Sequence, residues 1–315
     1  MSFDVAPGER LGIVGESASG KSLTALAIAQ LVPYPGQVTA AAIDLAGNDL
    51  PRMPKRALTR LLGRSLAMVF QDPATSLNPA LRVGRQLTEV AEVHSGLGRR
   101  AARERAVAQL ARVRLSNPGY RLRQYPVQLS GGMRQRATLA MGLMAEPQLI
   151  IADEPTSALD VTVQEQIVRL LRTVSDDTGA AVIFISHDIA VVGQLCERVL
   201  VMYAGRIVED LDVAALRTDP AHPYTRALIG SIPDMTTSRT KQMVTIEGRP
   251  PDPAEVGSGC AFAPRCGHAT QLCRDMRPDL RPLGTNGRRR AACWFPQHAD
   301  ADNGDLLGAS QGAPR

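Results

Sequence analysis

A glycine-rich stretch near the start of the chain has the spacing of a phosphate-binding loop. Leu11–Ser22 reads LGIVGESASGKS and fits the pattern G-x-x-x-x-G-K-S/T. Backbone N–H groups in such a loop converge on an anion, and the helix that follows points its positive end at the same place. The lysine adds a mobile charge for the outer phosphates, and the last hydroxyl can ligate Mg²⁺. We therefore predict that nucleotide phosphates lie against the loop residues Gly15, Glu16, Ser17, Ala18, Ser19, Gly20, Lys21 and Ser22.

An apolar strand that ends in two carboxylates provides a second candidate set. Leu149–Glu154 reads LIIADE. Beside a phosphate-binding loop, the first acid after such a strand holds Mg²⁺ directly or through water, so we predict that role for Asp153. We predict that Glu154 polarises the water that attacks the γ-phosphate. The alternative is a solvated strand end with no catalytic role.

A serine and two glycines open a predicted helix shortly before that strand. Ser130, Gly131 and Gly132 could form a second anion site at the helix start. In the simpler alternative, Ser130 only caps its own helix. Two phosphate-binding helix starts far apart in one chain are explained most economically by a dimer, in which each site borrows Ser130 and Gly132 from the partner.

The periodicity of apolar residues indicates the elements that must position these motifs. Strands that alternate with helices, interrupted by a helical stretch, predict an α/β core with a largely parallel sheet and an α-helical subdomain. The predicted strands are Ser2–Val5, Arg10–Val14, Val38–Leu45, Ser65–Phe70, Leu149–Ala152 and Ala181–Ile185, followed by a hairpin of Val199–Tyr203 and Arg206–Glu209. The predicted helices are Leu23–Leu31, Val83–Val93, Arg99–Val113, Gly132–Met144 and Val163–Val174.

Composition narrows the functional classes. The 315 residues carry a net charge of +5 that is spread along the chain, and only 3% are aromatic, which disfavours a nucleic-acid-binding role. No apolar run approaches the roughly 20 residues of a membrane span, and we see no export signal. We therefore expect a cytosolic location, where the five cysteines are thiols or metal ligands and not disulfides.

Further motifs make residues 1 to about 230 resemble an ABC-transporter ATPase subunit, which implies the P-loop NTPase fold and Mg·ATP as ligand. Gln71, in the run VFQDP, resembles the Q-loop glutamine that senses Mg²⁺ and water. Ser157-Ala158-Leu159-Asp160 resembles the D-loop, which implies that Asp160 lies at a dimer interface. His187, after a predicted strand, resembles the switch histidine that contacts the γ-phosphate.

Finer features are similar to the dipeptide and oligopeptide (and nickel) importers. They are the run Ser76-Leu77-Asn78-Pro79 and the run His222-Pro223-Tyr224-Thr225. The resemblance implies ATP-driven peptide uptake at the cytoplasmic face of the membrane, with two permease subunits and an extracytoplasmic solute-binding protein. Met133 replaces the usual signature glutamine, which suggests a heterodimer with a sister ATPase, while a homodimer stays open. Uptake of nickel or another small solute, and an ABC ATPase switch without transport, are the alternatives.

The expected organisation has three parts. Residues 1–215 form the ABC ATPase domain, with a helical subdomain at about 72–147. Residues 216–298 form the extension typical of peptide importers, and residues 299–315 form a disordered tail. Within the loop, Ala18 stands where the family usually has glycine, which matters only if that position needs a positive φ.

Four cysteines of the extension could hold a metal. Cys260, Cys266, Cys273 and Cys293 are spaced C-x5-C-x6-C-x19-C. Zinc sites prefer closely paired cysteines, so this spacing fits zinc poorly, whereas four thiolates can hold an iron–sulfur cluster. The family resemblance implies a 4Fe–4S cluster. Zinc and four unrelated buried thiols stay open as alternatives.

Overall fold

Ten strands and the helices around them form the described part of the chain. The computed structural model describes residues 1–71, 76–157, 160–231, 246–252, 256–284 and 289–297. The strands are β1 (Arg10–Val14), β2 (Asp44–Leu45), β3 (Asn48–Asp49), β4 (Leu66–Val69), β5 (Leu149–Asp153), β6 (Ala181–Ile185), β7 (Arg198–Tyr203), β8 (Arg206–Asp212), β9 (Arg281–Leu283) and β10 (Arg289–Ala291).

Four of the α-helices in these ranges lie in succession between β4 and β5, and most of the others lie between strands or after β8. The α-helices are α1 (Lys21–Ile28), α2 (Lys55–Ser65), α3 (Val83–His94), α4 (Arg99–Arg112), α5 (Pro118–Arg121), α6 (Gly131–Gly142), α7 (Val161–Thr178), α8 (Ile189–Leu195), α9 (Val213–Thr218), α10 (Pro223–Gly230) and α11 (Gln271–Asp275). None of the helices in the described ranges has the length and apolar character that crossing a membrane requires.

The main sheet has a parallel centre and an antiparallel edge. Its order is β4-β5-β6-β1-β7-β8-β10-β9, and the first five strands run parallel. Ile185 of β6 lies opposite both Ile13 of β1 and Asp153 of β5. The carboxyl ends of these three strands therefore meet at one edge, where ligands of parallel α/β sheets bind.

Alternating strand side chains separate two hydrophobic clusters on the faces of the sheet. Ile150 and Val182 belong to the larger cluster, which also contains the apolar faces of α7 and α8. Ile151 and Ile183 belong to the smaller cluster with Ala25 of α1. Because both faces are covered, the central strands are continuous apolar runs, which is why the sequence reveals them.

Small side chains bring the helices beside β4 close together. Ala91 of α3 and Ala102 and Ala106 of α4 are fully buried between α3, α4 and α6. All three helices lie within the predicted helical subdomain. Ser130 is the N-cap residue of α6, so the packing of α6 against α3 and α4 positions Ser130.

The predicted hairpin is confirmed. The hairpin of β7 and β8 turns at Ala204 and Gly205, whose φ values of 46° and 76° are the pair that a tight hairpin requires. The predicted strand Ser2–Val5 is wrong, because the first strand of the chain begins at Arg10. The predicted strand Val38–Leu45 is wrong except for its last two residues. The turn at Ala46-Gly47 pairs β2 with β3 over two residues only, and most of the preceding stretch is exposed.

The extension contributes two strands to the same sheet, which the sequence analysis did not predict. β10 pairs antiparallel with β8, and β9 pairs with β10. Strands of three residues are too short to show a periodicity of their own. The domain boundary at residue 215 stays a prediction, and the tail at 299–315 lies outside the described residues.

A buried carboxylate links strand β10 of the extension to strands β7 and β8 of the sheet. Asp210 of β8 is 1% exposed. It accepts from Arg198 of β7 at 2.7 and 2.9 Å and from Arg290 of β10 at 2.5 and 3.1 Å. One carboxylate therefore compensates two guanidinium groups on opposite sides of its strand.

We expect Asp210→Ala to lower the free energy of unfolding by about 3 kcal/mol, because Arg198 and Arg290 lose the buried carboxylate that they share. Urea unfolding followed by circular dichroism measures the change. The matched control is Asp177→Ala, because Asp177 pairs with Arg112 on the surface with more than half of its side chain exposed. That control is expected to lose at most about 1 kcal/mol. Equal losses in the two variants would contradict a central role for Asp210.

Candidate nucleotide site

Gly15 begins the phosphate loop where a side chain has no room. Its φ is 156°, and a Cβ at this position would stand 2.2 Å from the carbonyl oxygen of Met202. Such an approach is far inside van der Waals contact, so only glycine fits. The loop thus leaves β1 from a point that is pressed against β7.

Ala18 occupies a left-handed backbone position within the loop. Its φ is 63°, a value that costs an L-residue with a side chain roughly 1–2 kcal/mol. Related sequences usually have glycine at this position, for which a positive φ costs little. The structure therefore shows that the substitution carries conformational strain.

Lys21 points back into its own loop. Its Nζ donates to the carbonyl oxygens of Gly15 at 2.8 Å and Glu16 at 2.9 Å. Burial lowers the pKa of Lys21, whereas the nearby carboxylates, Glu154 first among them, act to raise it. An anion held in the loop would give this buried ammonium the opposite charge that the carbonyls only partly supply.

Ser22 and Asp153 join the loop to β5. The Ser22 hydroxyl donates to Oδ1 of Asp153 at 2.9 Å. Burial raises the pKa of Asp153, and this hydrogen bond acts in the opposite direction. The pair offers two adjacent oxygens, which are the ligands that Mg²⁺ prefers.

The other two predicted catalytic side chains, those of Gln71 and His187, both contact the Glu154 carboxylate. Its Oε2 accepts from Nε2 of Gln71 at 3.1 Å and lies 3.3 Å from Nδ1 of His187. The φ of Glu154 is 45°, which is strained for a glutamate. Its N–H donates to the carbonyl of Ile185 at 3.0 Å, and its carbonyl accepts from Ser157. These bonds hold the strained backbone and aim the carboxylate out of the sheet edge.

The predicted second anion site lies in a cavity of its own. Ser130, Gly131 and Gly132 line this cavity with Asp160. Gly132 is held close to α7, since a Cβ there would come within 2.8 Å of Val163.

Two side chains of this cavity act as helix caps. Ser130 accepts from the N–H of Met133 at 3.4 Å, and Asp160 accepts from the N–H of Val163 at 2.9 Å. The simple capping alternative for Ser130 is thus observed in the single chain. Four residues of the predicted motifs lie outside the described residues: Asp72 and Pro73, which follow Gln71, and Ala158 and Leu159, which precede Asp160.

The four predicted metal-binding cysteines line one cavity. They are Cys260, Cys266, Cys273 and Cys293. Burial raises the pKa of Cys293 to about 12, and the three other thiols add to the shift. Over the described ranges, however, no group of three or more histidine, cysteine, aspartate or glutamate side chains is arranged to hold a metal ion. The sequence prediction of a metal at these cysteines stays a prediction.

Two residues that contact the loop were missed by the sequence reasoning. Arg265 of the extension forms an ion pair with the Glu16 carboxylate at 2.7 Å, and Tyr224 of α10 accepts from the Glu16 N–H at 2.8 Å. Tyr224 stands in a run that the sequence analysis used only as a family mark. No local pattern identifies Arg265, because its partner is 249 positions away.

We expect Ala18→Gly to raise the free energy of unfolding by about 0.5–1 kcal/mol, because relief of the left-handed strain exceeds the added freedom of the unfolded chain. Thermal or urea unfolding of the purified protein measures the effect. Ala108→Gly, at an exposed position in the interior of α4, is the matched control and is expected to lose about 1 kcal/mol. Destabilisation by both substitutions would show that the strain at Ala18 is negligible.

Comparison with known proteins agrees with this geometry. Residues 1–157 match the family described as ABC transporter, and residues 208–273 match the oligopeptide/dipeptide transporter C-terminal region. The probable peptide ABC transporter ATP-binding protein y4tR of Sinorhizobium fredii is 46% identical over 93% of this chain and 88% of its own length. The dipeptide transport ATP-binding protein DppD of Escherichia coli is 42% identical over 94% of this chain and 90% of its own length. The oligopeptide transport ATP-binding protein OppD of Salmonella typhimurium is 44% identical, with coverages of 94% and 87%.

Solved structures share the fold. The ATP-binding cassette MJ0796, dimeric in a post-hydrolysis state with ADP and Pi, aligns with a TM-score of 0.60 at 27% identity, covering 67% of this chain and 88% of its own. CbiO1 from Clostridium perfringens, part of the transporter complex cbiONQ, aligns with a TM-score of 0.60 at 25% identity, covering 69% of this chain and 82% of its own. The chain therefore belongs to the ABC transporter ATP-binding proteins, in the branch that carries the oligopeptide/dipeptide transporter C-terminal region.

Proposed function

We propose that this chain binds and hydrolyses Mg·ATP and thereby energises the uptake of peptides across the cytoplasmic membrane. The observation that carries the proposal is the convergence of Gln71 and His187 on one carboxylate oxygen of Glu154 beside the phosphate loop. Relatives named for dipeptide and oligopeptide transport support the choice of peptides.

In this proposal the loop holds the nucleotide through its phosphates. The backbone N–H groups of residues 15–22 and the start of α1 bind the phosphate oxygens. Lys21 turns from the loop carbonyls to the outer phosphates, and Ser22 and Asp153 supply oxygen ligands to Mg²⁺. When bound by Ser22 and Asp153, Mg²⁺ would spread the negative charge that develops on the transferred phosphoryl group.

Hydrolysis then needs a positioned water. The water oxygen attacks the γ-phosphorus while the bond to the bridging oxygen of ADP breaks, which gives ADP and inorganic phosphate. Glu154 accepts the proton of the water, His187 contacts the γ-phosphate, and Gln71 orients the water and the metal. Positioning and electrostatic stabilisation supply most of the rate in reactions of this kind.

A second ATPase subunit completes the site. Ser130, Gly131 and Gly132 of one subunit are proposed to bind the γ-phosphate held by the other, with Asp160 at the interface between them. The dimeric form of the cassette MJ0796 supports this arrangement. Met133, in place of the usual signature glutamine, favours a sister ATPase as the partner.

The proposed place of work is the cytoplasmic face of the membrane. There the ATPase pair binds two permease subunits peripherally, and an extracytoplasmic binding protein delivers the peptide. The ATPase pair closes on ATP and opens after hydrolysis. The surface near Gln71 contacts the permeases and transmits this motion to them. Nickel uptake and a switch without transport are less favoured, because the three relatives that are 42–46% identical are named for peptide, dipeptide or oligopeptide transport.

We expect Glu154→Gln to lower the ATPase rate at least about 100-fold while ATP binding is kept, because the amide cannot accept the proton of the water. Phosphate release measures turnover, and a fluorescent ATP analogue measures binding. ATP is also expected to trap the variant as a closed dimer. The matched control, Glu165→Gln on the exposed face of α7, is expected to keep the wild-type rate.

The same variants test the transported solute. In cells that lack this chain, the wild-type and Glu165→Gln proteins are expected to restore uptake of a labelled dipeptide, and Glu154→Gln is not. Unchanged ATPase activity in Glu154→Gln would overturn the assignment of the base. Normal dipeptide uptake in the cells without the chain would overturn the peptide assignment and leave the ATPase assignment untouched.

We also propose that the cysteine cavity holds a 4Fe–4S cluster with a structural role. Zinc sites prefer closely paired cysteines, and the spacing C-x5-C-x6-C-x19-C contains no such pair. A cluster instead takes its four cysteines around a larger body, which suits four thiols that line one cavity. The cluster would bind Cys260, Cys266, Cys273 and Cys293 and stabilise a module that has little core of its own.

We expect protein purified without oxygen to contain about four iron and four acid-labile sulfide per chain. Cys266→Ser is expected to lose most of the iron, whereas Cys196→Ser is not, because Cys196 is a buried core thiol of the ATPase part. Iron and sulfide analysis with visible absorption measures both. An equimolar zinc content, or no metal in either protein, would contradict the cluster.

A further inference from the structure

Arg265 of the extension forms a largely buried ion pair with Glu16 of the phosphate loop. Nη1 of Arg265 donates to Oε2 of Glu16 at 2.7 Å, and Nη2 donates to Oε1 at 3.1 Å. The two bonds are parallel, which is the strong and directional form of an arginine–carboxylate pair. The Arg265 side chain is 5% exposed, so solvent screens the pair little.

The guanidinium of Arg265 is held in place on every side. Nε donates to the carbonyl of Glu247 at 2.8 Å, Nη2 to that of Ile246 at 3.2 Å, and Nη1 to the Tyr203 hydroxyl at 3.2 Å. Its carbon lies 5.9 Å from the centre of the Tyr203 ring and 6.0 Å from that of Phe262. A lysine could not supply the paired bonds of the guanidinium.

Three different groups converge on Glu16. Arg265 holds its carboxylate, the Tyr224 hydroxyl accepts from its N–H at 2.8 Å, and Lys21 donates to its carbonyl at 2.9 Å. Glu16 directly follows Gly15, so its backbone sets the course of the loop toward the phosphates. Lys21, which is proposed to bind phosphate, and Arg265 of the extension thus both contact Glu16.

Aromatic packing continues this contact into the extension. The ring centres of Tyr203 and Tyr224 are 4.5 Å apart, and Phe262 lies 5.3 Å from the first and 5.4 Å from the second. Phe262 lines the cysteine cavity, and Cys266 follows Arg265 directly. The seating of the extension therefore determines where the guanidinium stands.

We propose that Arg265 is a positioning residue for the phosphate loop, through which the extension sets the affinity of the chain for nucleotide. The inference rests on the proposed binding of ATP phosphates at this loop. Without the bonds from Arg265, Glu16 and the loop sample other conformations. The apparent affinity for nucleotide then falls in proportion to the population of the binding conformation. The extension is then part of the nucleotide site and not only an attachment to it.

Binding of a fluorescent ATP analogue with Mg²⁺ to the full chain tests the proposal. Arg265→Ala is expected to weaken binding about tenfold. Arg265→Lys is expected to recover only part of the affinity, because it restores the charge without the paired bonds. Glu16→Gln is expected to weaken binding by itself but to add nothing to Arg265→Ala, since both remove the same contact.

The control variant is Arg277→Ala. Arg277 donates to the carbonyls of Gly257 and Gly259 within the same cysteine module and has no hydrogen bond to the loop. It is expected to lower the unfolding temperature without changing nucleotide affinity. Equal loss of affinity in Arg277→Ala and Arg265→Ala, or additive losses from Glu16→Gln and Arg265→Ala, would overturn the proposal.

Lys21→Ala separates this inference from the proposed function. If Lys21→Ala leaves binding unchanged, nucleotide does not bind at this loop, and the proposed function fails with the inference. If Lys21→Ala abolishes binding and Arg265→Ala leaves it unchanged, the inference alone is wrong.

Discussion

Parallel pairing of β1, β5 and β6 is the constraint on which the rest of the site depends. Parallel strands bring their carboxyl ends to one edge, whatever the distance between them in sequence. The register aligns Ile13, Asp153 and Ile185, so the phosphate loop, the two carboxylates and His187 all leave the sheet together. The close approach of Gly15 to Met202 adds β7 to this arrangement.

Strain accompanies the proposed chemistry at this edge. Ala18 and Glu154 both have positive φ values without being glycine. Hydrogen bonds to Ile185 and Ser157 hold Glu154, while Ala18 has its strain imposed by the tight loop. Backbone of this kind persists only when surrounding contacts determine it, and it is found more often at functional sites than elsewhere.

The sequence was sufficient for those features whose pattern is local. The phosphate loop, the strand that ends at Asp153 and the hairpin turn at Ala204 each lie within a few residues, and burial on both faces makes the central strands plainly apolar. The extension was harder to predict. β9 and β10 are too short for periodicity, and the contact between Arg265 and Glu16 depends on a fold that brings distant segments together. Helix capping by Ser130 also gives no sign of a partner subunit.

The pairing of β10 with β8 has a consequence for solubility. β8 is seven residues long and buried along all but its ends, so without β10 and β9 it would be an unpaired edge of the sheet. Exposed edges of this length are templates for pairing with other chains. The extension thus replaces this long edge by the three-residue strand β9, and a chain shortened before Arg289 would expose the β8 backbone at Glu209 and Asp210 that β10 now pairs.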